Sequence, residues 1–579
     1  IKGIHHFFNW VLSQEKNTQF RILYASYYGK TTCRACNGGG LRKEVSYVKI
    51  NQKSIVDLLH MQIDELDNFL ATLTFPAHQK KAADILVSAI KNRVYYLKKV
   101  GLGYLSLNRF TATLSGGEYQ RARLAKILGS PLVDSLYVLE GISVGLHQHN
   151  ILPIIEVLLE LTDLGNTAVV IGQEESIMRA ASTIIDVGPE AGEKGGKIVF
   201  QGPWEKLLAA KNSYTADYLA GRRVISVPAK RRPWTQKIEL HNIQKNNFKD
   251  IHVTFPLNVF VIVTGVSGSG KSTLVEEVLY DSLRGYLKHA MIATRPNSLI
   301  TGDLKSLKNV KYIQQGVPSK SSRSNVATYV KVFDTIRKIF MEQDLSKSRG
   351  YTITDFSFNT SGGRCETCAG EGTIKIDMQI MDDVMLTCQD CQGKQFQEEI
   401  LEVTYKGKNI IQILDMTISQ SLVFFEAHPL IMAKLKPLAD LGLGELKIGQ
   451  PSNTLSSGET QKLKLAQAVP DHRNKMEPTL FIFDEPSSDL HFHDIEKCIQ
   501  LFRKLLDKGH SVVVIDHHMD MIKSADWIID VGPDAGEKGG EIIFEGTPEA
   551  MLNASNSHTA HHLRIKIARD RNLIKTDEA

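Results

Sequence analysis

Val263–Leu274 reads "VTGVSGSGKSTL", and the fold is read outward from it. Gly265-x4-Gly270-Lys271-Ser272 has the spacing of a phosphate-binding loop, led in by the apolar run Val259–Val263 and opening a helix. Along Gly265, Val266, Ser267, Gly268, Ser269 and Gly270 the small residues let backbone N–H groups close around β- and γ-phosphates. Lys271 adds a point charge, Ser272 offers its hydroxyl to Mg²⁺, and Thr273 completes the nucleotide-contacting run. A chance glycine-rich turn would need neither the strand before it nor the Lys-Ser after it. The expectation is a chain that binds ATP with Mg²⁺.

The 579 residues suffice for three or four domains with separate cores. A hydrophobic content of 42%, a charged content of 23% and a net charge of +5 are ordinary for a globular protein, and the charge alone argues little for nucleic acid. No apolar run reaches the length of a membrane span, and no signal peptide is read at the start, so no membrane partner and a cytoplasmic location are expected. Six of the seven cysteines fall in three C-x2-C pairs, a pattern for metal ligation in a reducing compartment rather than for disulfides. Cys498, alone in a predicted helix, reads as a core thiol. The chain begins with Ile1 and not Met, so an upstream segment is expected to be missing.

Two segments vary one text. "VGLGYLSLNRFTATLSGGEYQRARLAKIL" (Val100–Leu128) is echoed by "LGLGELKIGQPSNTLSSGETQKLKLAQAV" (Leu441–Val469), and "IIDVGPEAGEKGGKIVFQG" (Ile184–Gly202) by "IIDVGPDAGEKGGEIIFEG" (Ile528–Gly546). A shift of roughly 340 residues is too long for a solenoid and fits a duplicated domain. The basic, proline-bearing run Ala220–Lys237 lies between the copies as a linker. Apolar strands alternating with helices, as in "TLFIFDEP" and "SVVVIDHH", predict an α/β fold with a largely parallel sheet.

"LSGGE" (Leu114–Glu118), "LSSGE" (Leu455–Glu459), the phosphate loop and "FIFDEP" together resemble an ABC-type ATPase. "FSFNTSGGRCETCAGEG" (Phe356–Gly372), "SNVATYVKVFDTIRKIF", "LEVTYKGKNI", "ADWIIDVGP" and the paired "GLHQ" and "DLHF" narrow the resemblance to the UvrA family of the excinuclease system, from about Cys33 to about Leu552. The resemblance implies two P-loop ATPase halves carrying inserted helical signature modules and a zinc-binding β-hairpin module. The divisions expected on that basis are 1–94, a remnant of the first insertion with a C-x2-C knuckle; 95–220, the end of a degenerate first half; and the linker 221–237. They continue with 238–345, opening the second half; 346–435, the zinc-binding DNA-contact and signature insertion; 436–552, the rest of that half; and the tail 553–579. The family's first phosphate loop, the domain that docks a UvrB-like protein and the first zinc module are expected upstream of Ile1.

In this reading Asp484 holds Mg²⁺ through water and Glu485 polarises the attacking water. By resemblance His517 is the switch histidine that contacts the γ-phosphate, and Gln315 senses metal and nucleotide. The signature of one half caps the nucleotide of the other, so Ser115, Gly116 and Gly117 are expected to face Lys271 across a helix N-terminus. The sister site is expected to be dead. Alignment sets Glu140 against Asp484, Gly141 against Glu485 and Gln173 against His517, while Ser457 replaces a glycine of the signature. The chain is accordingly expected to be a truncated or divergent UvrA-like paralogue with one competent site.

Cys365-x2-Cys368, nineteen residues, then Cys388-x2-Cys391 has the spacing of a structural four-thiolate Zn²⁺ site, with Gly370 and Gly393 at the knuckle turns and "TIKIDMQI" as a hairpin strand. Cys33 and Cys36 make half a site at most, with His5 and His6 as candidate partners or an unmetallated knuckle as the alternative. Lys320, Arg323 and Arg364 are candidate phosphate contacts, although any one of them alone would be read as a solvated surface cation. The resemblance implies damaged double-stranded DNA as partner, recognised by its deformability, with a homodimer and a UvrB-like protein as its protein assemblies. "MDDV" (Met381–Val384) departs from the family's proline at the hairpin tip, and its acids would repel phosphate. The function expected is ATP-dependent DNA binding in nucleotide excision repair, with no nuclease activity. The alternative is a paralogue that shields DNA from, or sequesters, a drug without recruiting the UvrB-like protein.

Overall fold

The computed structural model describes residues 3–13, 33–36, 38–129, 132–190, 192–287, 299–314, 323–376, 384–468 and 477–577. It divides into two units, Ile1–Lys98 with Leu102–Leu114, and Lys99–Gly101 with Ser115–Ala579.

The smaller unit is helical. Ile63–Ala71 buries Ile63, Leu66 and Leu70, spaced to share one helix face, and starts from a Gln62–Glu65 capping box. The helix Ala77–Lys99 buries only Val94, and Lys98 pairs with Asp67 at 2.9 Å.

The larger unit is built on a six-stranded sheet in the order Asn309–Ile313, Thr479–Asp484, Ser511–Ile515, Phe260–Thr264, Trp527–Gly532, Glu541–Gly546. The first five strands run parallel and the last is an antiparallel edge. Phe260–Thr264 and Ser511–Ile515 are buried at every residue, which explains their unbroken apolar sequence: a parallel strand covered on both faces has no polar side to show. A three-stranded antiparallel sheet, Leu299–Gly302, Lys237–Ile243 and Ile251–Pro256, accompanies it. Cys498 is fully buried in the helix Phe492–Asp507.

The first copy of the repeat supplies two strand pairs. Leu136–Glu140 runs parallel to Thr167–Ile171, and Ile184–Gly188 antiparallel to Lys197–Gly202. They match Thr479–Asp484 with Ser511–Ile515, and Trp527–Gly532 with Glu541–Gly546. Even the register shift recurs, at Asp186/Val187 and at Asp530/Val531. In the second copy Phe260–Thr264 sits between those pairs; among the described residues no strand lies between the pairs of the first copy.

Candidate nucleotide site and metal centre

The phosphate loop leaves the centre of the large sheet. Gly265, Gly268 and Gly270 have φ of +132°, +87° and +114°, which turns successive N–H groups to one side. A Cβ on Gly265 would lie 2.0 Å from the Val531 carbonyl oxygen, so the loop is packed as well as bent. Asn247 pins it from outside, donating to the carbonyls of Ser269 at 2.9 Å and Gly536 at 3.2 Å. Ser269 Oγ is buried and finds no partner, a polar atom suited to a phosphate oxygen. Lys271 Nζ is held over the loop by the carbonyls of Gly265 at 2.9 Å and Val266 at 2.8 Å. Ser272 and Thr273 enter the helix, and Asn246 donates to Thr273 Oγ1 at 3.1 Å.

Asp484 and Glu485 end the neighbouring strand. Tyr312 donates to Asp484 Oδ2 at 3.1 Å, while burial pushes the Asp484 carboxyl up to about 6. Burial, followed by the nearby Asp484 charge, pushes Glu485 up to about 7. Glu485 adopts φ +45°, held by its N–H to Ile515 O at 2.8 Å and by Ser488 Oγ at 3.3 Å from Oε2. Burial takes His517 down to about 4, with the Lys271 charge acting in the same direction, so its ring is neutral at pH 7. Asp516 organises these loops. It accepts from Ser487 Oγ at 2.7 Å and from the backbone of Ser487, His517 and His518 at 2.7–3.1 Å. Motif reading passed over Asp516 and Tyr312; an acid buried directly after an apolar strand was the available signal for the first.

The first copy reaches this site. Ser115 caps the helix Gly116–Leu128 in a capping box with Glu118. At Gly117 a Cβ would sit 2.6 Å from Gly145 O and 3.1 Å from Ser267 Oγ, so the helix start is against the phosphate loop. Asn150 Oδ1 accepts from Ser267 N at 3.3 Å, and a Cβ on Gly145 would be 2.9 Å from Glu485 Oε2. Gly145 and Asn150 are further contributors that motif reading missed.

At the second signature, a Cβ on Gly458 would lie 2.9 Å from Asp489 O, and Gln173 donates to the same oxygen at 3.4 Å. Burial and then Glu140 push the Asp489 carboxyl up, while a Ser457 hydrogen bond opposes them. Asp489 and Glu140 are neighbours here, where the other site offers Lys271.

The four sulfurs of Cys365, Cys368, Cys388 and Cys391 are buried and all within 4.8 Å of one another. Cys365 and Cys388 Sγ are 3.9 Å apart, and Cys368 and Cys391 Sγ 3.7 Å, close to the ~3.8 Å edge of a tetrahedron with Zn–S of about 2.3 Å. Gly370 and Gly393 take φ +82° and +83° at the two knuckles. The strands Thr373–Ile376 and Val384–Thr387 pair antiparallel above them; 377–383, with the "MDD" segment, lies outside the described residues. This is the one candidate metal group among the described residues; Cys33 is exposed and Cys36 half-buried, with no such group around them. Of the proposed DNA contacts, Arg323 pairs with Glu371 at 3.2 Å and Arg364 with Glu366 at 3.0 Å. Lys320 and Gln315 lie outside the described residues.

No protein-family model matches the chain. It is 44% identical over 561 residues to UvrABC system protein A of Streptomyces coelicolor, covering 96% of this chain and 55% of that protein. UvrABC system protein A of Aquifex aeolicus is 44% identical over 554 residues, covering 95% and 60%. The chain thus spans little more than half the length of these relatives. The crystal structure of UvrA2 from Deinococcus radiodurans superposes with a TM-score of 0.86 at 36% identity, covering 96% of this chain and 69% of that one. No helix among the described residues is long and apolar enough to cross a membrane. With the ABC ATPase fold, the four-thiolate module and these similarities agreeing, the chain belongs to the UvrA family.

Proposed function

We propose that the chain is an ATP-hydrolysing, DNA-binding protein that recognises damage in nucleotide excision repair, with one competent ATP site. The observation that carries this reading is the meeting of Ser115–Gly117 with the loop bearing Lys271: a signature helix from one copy abuts the phosphate loop of the other. Gly265–Thr273 bind the phosphates of ATP. Ser272 and Asp484 hold Mg²⁺, which when bound offsets the charge of the phosphates. Glu485, with a pKa near neutrality, takes a proton from the attacking water, and neutral His517 donates to the γ-phosphate. Gln315 has its role by family resemblance alone. Hydrolysis yields ADP and phosphate and releases the Ser115–Gly117 face from the γ-phosphate, which couples turnover to the separation of the copies.

Zn²⁺ on Cys365, Cys368, Cys388 and Cys391 closes a structural site, since four thiolates leave no open position for water. The hairpin above it, with Arg323, Arg364 and Lys320, forms the face offered to duplex DNA. A homodimer and a UvrB-like partner complete the reading. The named relatives are all UvrA proteins, which favours repair over a drug-shielding module.

The test is fluorescence anisotropy of the whole chain on a duplex carrying one bulky lesion and on its undamaged twin, each with no nucleotide, ADP and a slowly hydrolysed ATP analogue. Tighter binding to the lesion, changing with nucleotide, is expected. Equal affinity for both duplexes in every nucleotide state overturns the reading.

A further inference from the structure

One hydrogen-bond line is used twice to join the two copies of the repeat. His147 Nδ1 accepts the His149 N–H at 3.1 Å, so the proton of the neutral ring is on Nε2. That nitrogen stands 3.1 Å from Thr559 Oγ1, and the Thr559 hydroxyl donates to Asp530 Oδ1 at 3.0 Å. Ser557 donates to the other oxygen of Asp530 at 2.6 Å. Every donor along the line is thereby assigned, from the first copy to a buried carboxylate of the second. The mirror line repeats it bond for bond. His491 Nδ1 accepts from His493 N at 3.2 Å, and its Nε2 is 3.1 Å from Thr215 Oγ1. Thr215 donates to Asp186 at 3.0 Å and Ser213 to the second oxygen at 2.6 Å.

The two lines end in different places. Asp530 is fully buried and is the sheet neighbour of Thr264, the residue before Gly265. The next carbonyl, Val531 O, would lie 2.0 Å from any Cβ at Gly265, and the Asp530 charge acts on Lys271. Asp186 occupies the same place in the copy that carries Glu140, Gly141 and Gln173 where the other carries Asp484, Glu485 and His517.

We infer that His147, Thr559 and Asp530 form a latch through which the first copy positions the phosphate loop of the second. His147 and Thr559 are then positioning residues for ATP turnover, whereas His491 and Thr215 only hold the copies together. With the copies docked, His147 orients the Thr559 hydroxyl toward Asp530, and two hydroxyl donors occupy that carboxylate. With the copies apart, Thr559 is free to turn away, and Asp530 competes with the phosphates for the Lys271 ammonium. This deepens the ATPase reading and rests on it.

The experiment compares the near-isosteric changes Thr559→Val and Thr215→Val by steady-state ATP turnover and thermal melting. Similar melting shifts are expected in both, with kcat lowered about tenfold in Thr559→Val, within about twofold of wild type in Thr215→Val, and restored in Thr559→Ser. If Thr559→Val does not fold, His147→Ala against His491→Ala makes the same comparison. Equal losses of turnover in the two members of a pair, or wild-type turnover in Thr559→Val, overturn the latch alone. A wild-type chain with no turnover overturns the ATPase reading itself, and the latch with it.

Discussion

Val138, Val169 and Val187 in the first copy of the repeat are 61%, 45% and 64% exposed; their equivalents in the second, Ile482, Val513 and Val531, are fully buried. The side chains are of one kind and the strand pairs of one topology. In the second copy these side chains share one core with Val261 and Val263 of the strand Phe260–Thr264 and with Leu274, Val275 and Val278 of the helix after the phosphate loop; among the described residues no such strand or helix accompanies the pairs of the first copy. In the second copy the strand that completes the core also carries the phosphate loop, so one element serves packing and chemistry. Glu140, Gly141 and Gln173 stand where Asp484, Glu485 and His517 stand.

The largest effect that can break this comparison is at Lys271. Lys271→Ala is expected to remove ATP turnover by about three orders of magnitude, while Glu140→Ala leaves it within about twofold. Substantial phosphate release from the Lys271 variant would reveal a second working site. Next comes Glu485→Gln, for which ATP binding is kept and kcat falls about a hundredfold. In the wild type, turnover should rise with pH to a plateau above the Glu485 value of about 7, because the carboxylate form is the base. That ionisation should vanish from the profile of the variant. The stability sign is opposite: the folded chain keeps protons on Asp484 and Glu485 that the unfolded chain has lost, so these groups lower stability as pH rises from the ordinary carboxylate range to about 7.

Gly117→Ala against Gly458→Ala sharpens the contrast between interfaces. Each added Cβ meets a backbone oxygen, at 2.6 Å and 2.9 Å respectively, yet only the first lies beside the phosphate loop. A kcat loss of about tenfold is expected for Gly117→Ala, and about twofold at most for Gly458→Ala. Matching losses would mean that both interfaces serve turnover. The smallest effect separates the C-x2-C pairs. Metal analysis should give one zinc per chain in wild type and in Cys33→Ser, and a loss of metal with a lower melting temperature in Cys391→Ser. A folded, zinc-free wild type would remove the metal from the four-thiolate site.

Motif chemistry was legible because it is local. Gly265 to Ser272, Asp484-Glu485 and the C-x2-C pairs are short runs whose spacing follows from what phosphate, Mg²⁺ and zinc require of the backbone. The repeat was legible for the same reason, since two copies of one text predict two copies of one topology. Tyr312, Asn150, Gly145 and Asp516 were not, because each matters through a partner distant in the chain or through a loop that no motif marks. Arg323 and Arg364 show the converse. Their charge was visible in the sequence, but Glu371 and Glu366 beside them reduce what that charge offers to a phosphate.

The amino-acid sequence, then, specifies which groups exist and which of them its own backbone holds together, because strand, turn and helix start obey rules a few residues long. Where the halves meet is another matter. That Gly117 touches the loop of Lys271, that His147 reaches Asp530 through Thr559, and that Ile482 shares a core with Val261 and Leu274 are outcomes of packing. They depend on contacts hundreds of residues apart, whose energies are summed only when the whole chain is folded.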